Sequence, residues 1–373
     1  MSSQKILEKH KICILPGDGI GPEVMDQAKR VIDLLNTFER SHISYTSGLV
    51  GGHAIDELGE ALPKETLRLC EESDAILFGS VGGEKWDHLA PEKRPERAAL
   101  LKLRGHFKLY ANLRPSFLLK ELKNISPLRG EIVEEGMDLL CIRELTGGLY
   151  FGEKGTYSKN DSIYHFDTMA YSRPEIERVT HLAFSEARKR KKKVTSIDKA
   201  NVLDTMVLWR EVVSEIAKEY PDVECEHLYV DNAAMQLILR PSQFDVLLCP
   251  NMFGDILSDE CAVICGSMGL LPSASLGMDS FGLYEPAGGS APSLTGKNMA
   301  NPISQILSTA LMYRYSLGNE KAAEVIESSV TSVLKEGVKT KDLIYSEGED
   351  FVSTEEMGSL ILKKCERLLK GDS

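Results

Sequence analysis

Apolar runs of strand length alternate with amphipathic helical stretches along most of the chain. "ICIL" at Ile12–Leu15 precedes a helical segment from about Glu23, and "AILFG" covers Ala75–Gly79. "DLLCIREL" spans Asp138–Leu145, and "KVTSID", "HLYVD" and "FDVLLCP" continue the series, each beside a helix-like stretch. Repeated strand–helix alternation predicts α/β layering with a largely parallel sheet. Ile176, Val179, Leu182 and Ala183 share one face of a helix starting near Pro174. The basic run "RKRKKK" at Arg188–Lys193 closes that helix, either as a solvated end where cations complement the negative end of the dipole or as a nucleic-acid patch.

The pattern changes between Thr146 and Arg173. There tyrosines and phenylalanines alternate with polar residues around "KNDS", which predicts a β-hairpin arm. An aromatic arm leaving an α/β core serves either to pair with another subunit or as a flap on its own domain. From Cys261 to Met278 no charge occurs, but glycines, serines and Pro272 interrupt the run, so it reads as a packed segment and not a membrane span. "MSSQKILEKHK" has no apolar stretch of the kind a secretory signal needs.

A chain of 373 residues is long enough for two domains. Its 42% hydrophobic and 27% charged residues are ordinary for a globular protein, and a net charge of −12 disfavours broad nucleic-acid binding. Eight scattered cysteines without a C-x-x-C pair read as reduced core thiols of a cytoplasmic protein.

"KICILPGDGIGPEVMDQAKR" raises the first chemical question. It looks like a dinucleotide fingerprint, yet Pro22 stands where the third glycine belongs. The residues alone leave a ligand loop and a plain strand-to-helix turn both open. Asp255 and Asp259 in "NMFGDILSDE" lie one turn apart on a helix face, and Asp231 ends a strand in "HLYVDNAAMQ". They are either surface acids or, converging, an oxygen site for Mg²⁺ or Mn²⁺. Lys199 follows a strand beside Asp198, either as a structural ion pair or as an acid–base group in a crevice. Arg104, Arg114 and Arg143 offer planar forks for carboxylates, and Arg143, at the end of an apolar strand, fits a surface role least. "GLYEPAGGSAPSLTGKNMANP", Gly282–Pro302, reads as a small-residue loop that either approaches a ligand or is a buried connection.

These segments together carry a resemblance from Lys11 to about Cys365. "LPGDGIGPEV", "GSVGGEKWD", "LLKLRGHFKLYANLRP", "RELTGGLYFGEKG", "DKANVLD", "YVDNAAMQL", "NMFGDILSDE", "GLLPSASLG" and "EPAGGSAPSLTGKNMANP" resemble the β-decarboxylating 2-hydroxyacid dehydrogenases, the isocitrate/isopropylmalate dehydrogenase family. The resemblance implies a two-domain α/β fold that is not Rossmann, with a mixed, largely parallel sheet and a β-arm near 147–173. It places a coenzyme domain at 1–109 and 266–373 and a substrate and dimerisation domain at 110–265. It implies NAD-dependent oxidation and decarboxylation of (2R,3S)-3-isopropylmalate to 4-methyl-2-oxopentanoate and CO₂ in leucine biosynthesis. A relative acting on D-malate, tartrate or homoisocitrate is the alternative, and a non-catalytic nucleotide-binding module is the rival from another class.

By the same resemblance Asp231, Asp255 and Asp259 hold Mg²⁺ or Mn²⁺, and Arg104, Arg114, Arg143 and Asp231 bind substrate. Lys199 serves proton removal at C2, and Tyr150 protonates C3. Leu100 and Leu101 form the apolar wall for the isopropyl group. Gly83, Glu96, Glu285, Gly289 and Ser290 contact NAD, as do Ala291, Ser293, Leu294, Ala300 and Asn301. Ser293 departs from the aspartate usual in NAD-using members. A homodimer shares its sites, with Lys199 and Asp231 supplied by the second subunit, and neither nucleic acid nor membrane is a partner.

Overall fold

The structure is a computed structural model that describes residues 9–38, 42–344 and 348–371. Residues 1–8 of the stretch read as lacking a signal lie outside that description. The chain divides into two compact units, one of residues 1–107 with 267–373, the other of residues 108–266.

The first unit begins with β1 (Lys9–Gly17), α1 (Gly21–Phe38), β2 (His42–Ser47), α2 (Gly51–Leu58), α3 (Lys64–Glu71), β3 (Ala75–Ser80) and α4 (Leu101–His106). The second holds β4 (Ala111–Leu118), β5 (Met137–Glu144), β6 (Lys154–Lys159), β7 (Ser162–Asp167), α5 (Arg173–Arg188), β8 (Lys193–Asp198), α6 (Asp204–Ala217), β9 (Glu224–Tyr229), α7 (Val230–Leu239), β10 (Val246–Cys249) and α8 (Asn251–Ile264). The chain then returns to the first unit with β11 (Pro272–Leu276), β12 (Gly282–Pro286), α9 (Ile303–Tyr315), α10 (Glu320–Lys335) and α11 (Thr354–Lys370).

In the first unit the strand order is β2-β1-β3-β12-β11, parallel except for the antiparallel β11–β12 pair. That hairpin inside the sheet separates the architecture from the all-parallel Rossmann order. It also corrects the reading of Gly282–Pro302 as loop throughout, since its first five residues are a strand. The apolar runs at β1 and β3 are buried on both faces, as a covered parallel sheet requires. Val24, Met25, Ala28, Val31, Ile32 and Leu35 form the buried stripe of α1, at roughly 1.5 to 3 kcal/mol for each large side chain. Between β1 and α1 the chain turns through Gly17 at φ +74°, where a Cβ would sit 2.0 Å from the Ser80 carbonyl oxygen. Any larger residue would therefore part β1 from β3.

The second unit orders its strands β4-β5-β10-β8-β9, with only β4–β5 antiparallel. β6 and β7 form the expected arm, closed by Asn160 and Asp161 at φ +51° and +59°. Two consecutive left-handed residues match the strand twist, and Asn and Asp tolerate them. Tyr157 stacks on Tyr164 at 5.0 Å, and both rings stay exposed. A Ser172/Glu175 capping box starts α5.

The basic run starts at the end of α5 and extends past it. The helix stops at Arg188, and Lys193 already opens β8. Acids neutralise the run: Arg188 meets Asp222 at 2.6 Å, and Arg190 meets Asp138 at 2.7 Å and Asp245 at 2.8 Å. Asp231 also differs, because β9 ends at Tyr229 and Asp231 stands in the first turn of α7. No helix among the described residues is long and apolar enough to cross a membrane.

Candidate active site

Strand register brings two arginines together in the second unit. Asn112 and Arg114 alternate onto one face of β4, and Asn112 lies directly opposite Arg143 on β5. Both guanidinium groups are buried, and each has its Nε fixed by a buried amide. Arg114 Nε donates to Asn112 Oδ1 at 2.8 Å, and Arg143 Nε to Asn251 Oδ1 at 3.0 Å.

Helix α8 supplies the acids opposite. Its spacing sets Asp255, Ser258 and Asp259 on one face, as the sequence predicts for the two aspartates. Arg114 Nη1 donates to Ser258 Oγ at 2.8 Å and Asp259 Oδ1 at 2.9 Å. Arg143 Nη1 donates to Asp255 Oδ1, and its guanidinium lies 5.7 Å from the centre of the Tyr150 ring. Tyr150 stands in the short Gly148–Tyr150 turn and donates its hydroxyl to Asp255 Oδ2 at 3.0 Å. Partial burial, with the neighbouring Asp255 carboxylate, raises the Tyr150 phenol above its usual value. The phenol therefore keeps its proton at neutral pH.

Glu144 anchors the chain leading into that turn. Its buried carboxylate accepts the Thr146 and Gly147 backbone N–H groups, each at 2.8 Å. Burial raises its pKa against the opposing effect of those donors.

Lys199 follows β8 as predicted, but its partner is not Asp198. Its Nζ donates to Asp231 Oδ1 at 2.6 Å, and that hydrogen bond holds the Asp231 carboxyl below the ordinary range. Asp198 is buried and accepts Arg210 Nε and Nη2 at 2.8 and 2.9 Å, and the Ala200 N–H at 2.9 Å.

The donor set fits a hard divalent cation. Asp255 and Asp259 offer oxygens only, and Mg²⁺ or Mn²⁺ takes one or two carboxylates with water or substrate completing the shell. Among the described residues no cluster of three or more His, Cys, Asp or Glu in this chain could hold a metal ion. Asp231 thus does not gather with Asp255 and Asp259 within one chain.

In the first unit a wide helical turn, Glu96–Leu100, runs into α4 and presents Leu100 half-buried and Leu101 exposed. Arg104 is buried and donates to Glu285 Oε1 at 2.8 Å. A cavity of about 400 Å³ opens in this unit, lined by Ile20 and Val24 at the start of α1. Gly289, Ala291, Leu294, Ala300 and Asn301 also line it, together with Lys341 and Asp342. Glu23 holds the surrounding loop, accepting the Gly296 and Asn298 N–H groups at 2.9 and 3.1 Å. Gly83, Glu96, Glu285, Ser290 and Ser293 are not on the lining, and Ser293 is exposed in the Pro292–Leu294 turn. The small, largely apolar wall with a few polar groups suits a flat heterocycle and its sugar.

Sequence reasoning missed Asn112, Asn251 and Ser258, which orient the arginines. Asn112 carried a signal, since it stands two residues before Arg114 in a strand. Asn251 carried none, because its value depends on where α8 starts relative to β5.

A profile of the family described as isocitrate/isopropylmalate dehydrogenase matches residues 11–361. A protein named 3-isopropylmalate dehydrogenase from Escherichia coli is 58% identical over 357 residues, covering 95% of this chain and 98% of its own. One of the same name from Buchnera aphidicola is 57% identical over 355 residues, covering 95% and 97%. The crystal structure of isocitrate dehydrogenase from Methylococcus capsulatus matches with a TM-score of 0.82 at 33% identity, covering 96% of this chain and 99% of that one. That of a beta-decarboxylating dehydrogenase from Thermococcus kodakarensis matches at 0.79 and 32%, covering 97% and 98%.

Proposed function

This chain belongs to the isocitrate/isopropylmalate dehydrogenase family, and from that premise we propose that it catalyses NAD-dependent oxidative decarboxylation of (2R,3S)-3-isopropylmalate to 4-methyl-2-oxopentanoate and CO₂, a step of leucine biosynthesis. Identity of 58% to a protein of that name, over 95% of the chain, carries the choice of substrate and disfavours D-malate, tartrate or homoisocitrate. The cluster on β4, β5 and α8 supports the chemistry. Arg114 and Arg143, each fixed at Nε, present paired guanidinium charge that suits a dicarboxylate, and Arg104 is assigned to the same substrate.

Asp255 and Asp259 hold Mg²⁺ or Mn²⁺, with Asp231 contributed by a second copy of the chain. A metal bound there would supply Lewis-acid charge beside the substrate's hydroxyl and carboxylate oxygens, and bound NAD would supply the hydride acceptor. Lys199, likewise from the second copy, serves in proton removal from the C2 hydroxyl, accepting that proton at Nζ as the neutral amine. Tyr150 delivers a proton to C3 from Oη, from a phenol held against Asp255 at 3.0 Å. Leu100 and Leu101 contact the isopropyl group. We assign the cavity of the first unit to the adenosine end of NAD. The enzyme acts as a cytoplasmic homodimer with shared sites.

NADH formation from 3-isopropylmalate, with and without chelator, tests the reading. Activity that chelation abolishes supports it. Greater kcat/KM on D-malate, tartrate or homoisocitrate, or no turnover in the presence of Mg²⁺ and Mn²⁺, overturns it.

A further inference from the structure

The glycine-rich loop after β1 contains a carboxylate that the proposed chemistry leaves without a task. Asp18 is only 4% exposed. It forms no ion pair among the described residues, and three backbone N–H groups converge on it instead. Gly52 and Gly82 donate to Oδ2 at 2.8 Å each, and His53 donates to Oδ1 at 2.7 Å.

Gly52 and His53 belong to the first turn of α2, whose own N-cap, Val50, has no side-chain acceptor. Asp18 therefore caps that helix from a distant loop, where a negative charge also meets the positive end of the dipole. The third donor belongs to a different segment. Gly82 adopts φ +101°, a left-handed backbone conformation that favours glycine.

The same glycine is held at its other end. The Ser290 hydroxyl donates to the Gly82 carbonyl at 2.7 Å, and the Ile20 N–H donates to the Ser290 carbonyl at 2.9 Å. Asp18, Gly82, Ser290 and Ile20 thus close a ring through three loops. Their neighbours Ser80, Gly289 and Ala291, and Ile20 itself, line the 400 Å³ cavity. The ring stands directly behind that wall.

Resting on the NAD reading, we propose that Asp18 is a positioning residue for coenzyme binding: its carboxylate sets the Gly82 peptide and, through it, Ser290 and the cavity wall. An ionised carboxylate is the one side chain of this length with two oxygens that both accept. An asparagine would turn an amide N–H toward a backbone N–H. Burial raises the Asp18 pKa despite its three donors, so the charge is kept at a cost in desolvation.

The test measures NADH affinity by fluorescence, independently of turnover, in Asp18→Asn, Ser290→Ala and the double variant. Asp18→Asn should weaken NADH binding and raise KM for NAD about tenfold, leaving KM for 3-isopropylmalate and kcat at saturating NAD within about twofold. Ser290→Ala should weaken NADH binding about threefold, and the double variant should be no weaker than Asp18→Asn, because both act on one peptide. An unchanged NADH affinity in folded Asp18→Asn, or additive losses in the double variant, overturns the proposal. If Asp18→Asn does not fold, unchanged affinity in Ser290→Ala does so. Failure of the functional reading is separate: the unaltered protein would then bind NADH yet not oxidise 3-isopropylmalate.

Discussion

Asn251 offers the sharpest check on how the arginine pair is held. The residue is fully buried at the start of α8. Its Oδ1 accepts Arg143 Nε at 3.0 Å, its Nδ2 donates to the Gly147 carbonyl at 3.1 Å, and its backbone N–H donates to the Tyr171 hydroxyl at 2.8 Å. Asn251→Ala keeps the last bond and deletes the other two. A buried guanidinium N–H and a buried carbonyl then lose that partner, at about 1 to 3 kcal/mol each. Stability should fall by about 2 to 6 kcal/mol, and Tm by about 4 to 24 °C for a unit of this size. With Nε released, Arg143 loses the orientation that aims its fork, and kcat/KM for 3-isopropylmalate should drop about 10- to 100-fold with KM for NAD unchanged. Asn251→Asp keeps an acceptor for Arg143 and should retain more kcat/KM than the alanine variant, though it also loses the bond to Gly147. Melting curves and initial rates of NADH formation measure both quantities. A folded alanine variant with kcat/KM within twofold of the unaltered enzyme would refute the account.

Mixing inactive Lys199→Ala chains with inactive Tyr150→Phe chains should restore activity if the second copy supplies Lys199; verified heterodimers without recovery would place the site within one chain. Replacing Leu100 and Leu101 with serine should erase most of the roughly 10- to 200-fold preference for 3-isopropylmalate over malate that burying an isopropyl group can provide, and equal kcat/KM for the two in the unaltered enzyme would rule this out. Ser293→Asp should widen the NAD to NADP ratio of kcat/KM by restoring a charge that repels a 2′-phosphate; because Ser293 is exposed and off the cavity lining, an unchanged ratio would assign discrimination to the lining itself. Burial pushes Glu260 up from 4.5 to about 7, so the folded state holds that proton more tightly than the unfolded chain. Its stabilising contribution is complete below about 4.5 and lost as pH climbs through 7. Glu260→Gln should therefore show a flatter Tm across that range, and parallel curves for the two proteins would contradict the assignment.

Features that depend on local chemistry were legible in the sequence. The "KNDS" turn is one, because Asn160 and Asp161 are residue types that accept left-handed backbone, and alternating aromatics flank them. The helical phase of Asp255 and Asp259 is another. Features set by distant pairing were not. Cys261–Met278 reads as buried, yet nothing in it announces that β11 runs antiparallel to β12, since a strand buried on both faces carries no alternation to mark its direction. The basic run shows the same limit. Cations after a helix suit its dipole, but Asp138, Asp222 and Asp245 come from elsewhere in the chain and decide that these charges are neutralised.

At the candidate site the same division separates residue type from partner. Arginines, aspartates and a lysine announce themselves, because such groups at strand ends and on an apolar helix require a reason. Which acid each cation meets follows from register and helix rotation. Lys199 stands beside Asp198 in sequence, yet consecutive residues of an extended segment point to opposite sides, so Asp198 turns inward to Arg210 while Lys199 reaches Asp231. Within one chain Asp231 stands apart from the α8 aspartates, as an origin in a second copy requires. Asp231 is neutralised by Lys199, while Asp255 and Asp259 are neutralised by Arg143 and Arg114. Each acid already has its own cation, so no uncompensated repulsion in the single chain demands a metal. A trio could assemble only by bringing the Lys199–Asp231 pair of one copy to the α8 aspartates of another, which makes the subunit-mixing experiment a test of the metal site as well as of the lysine.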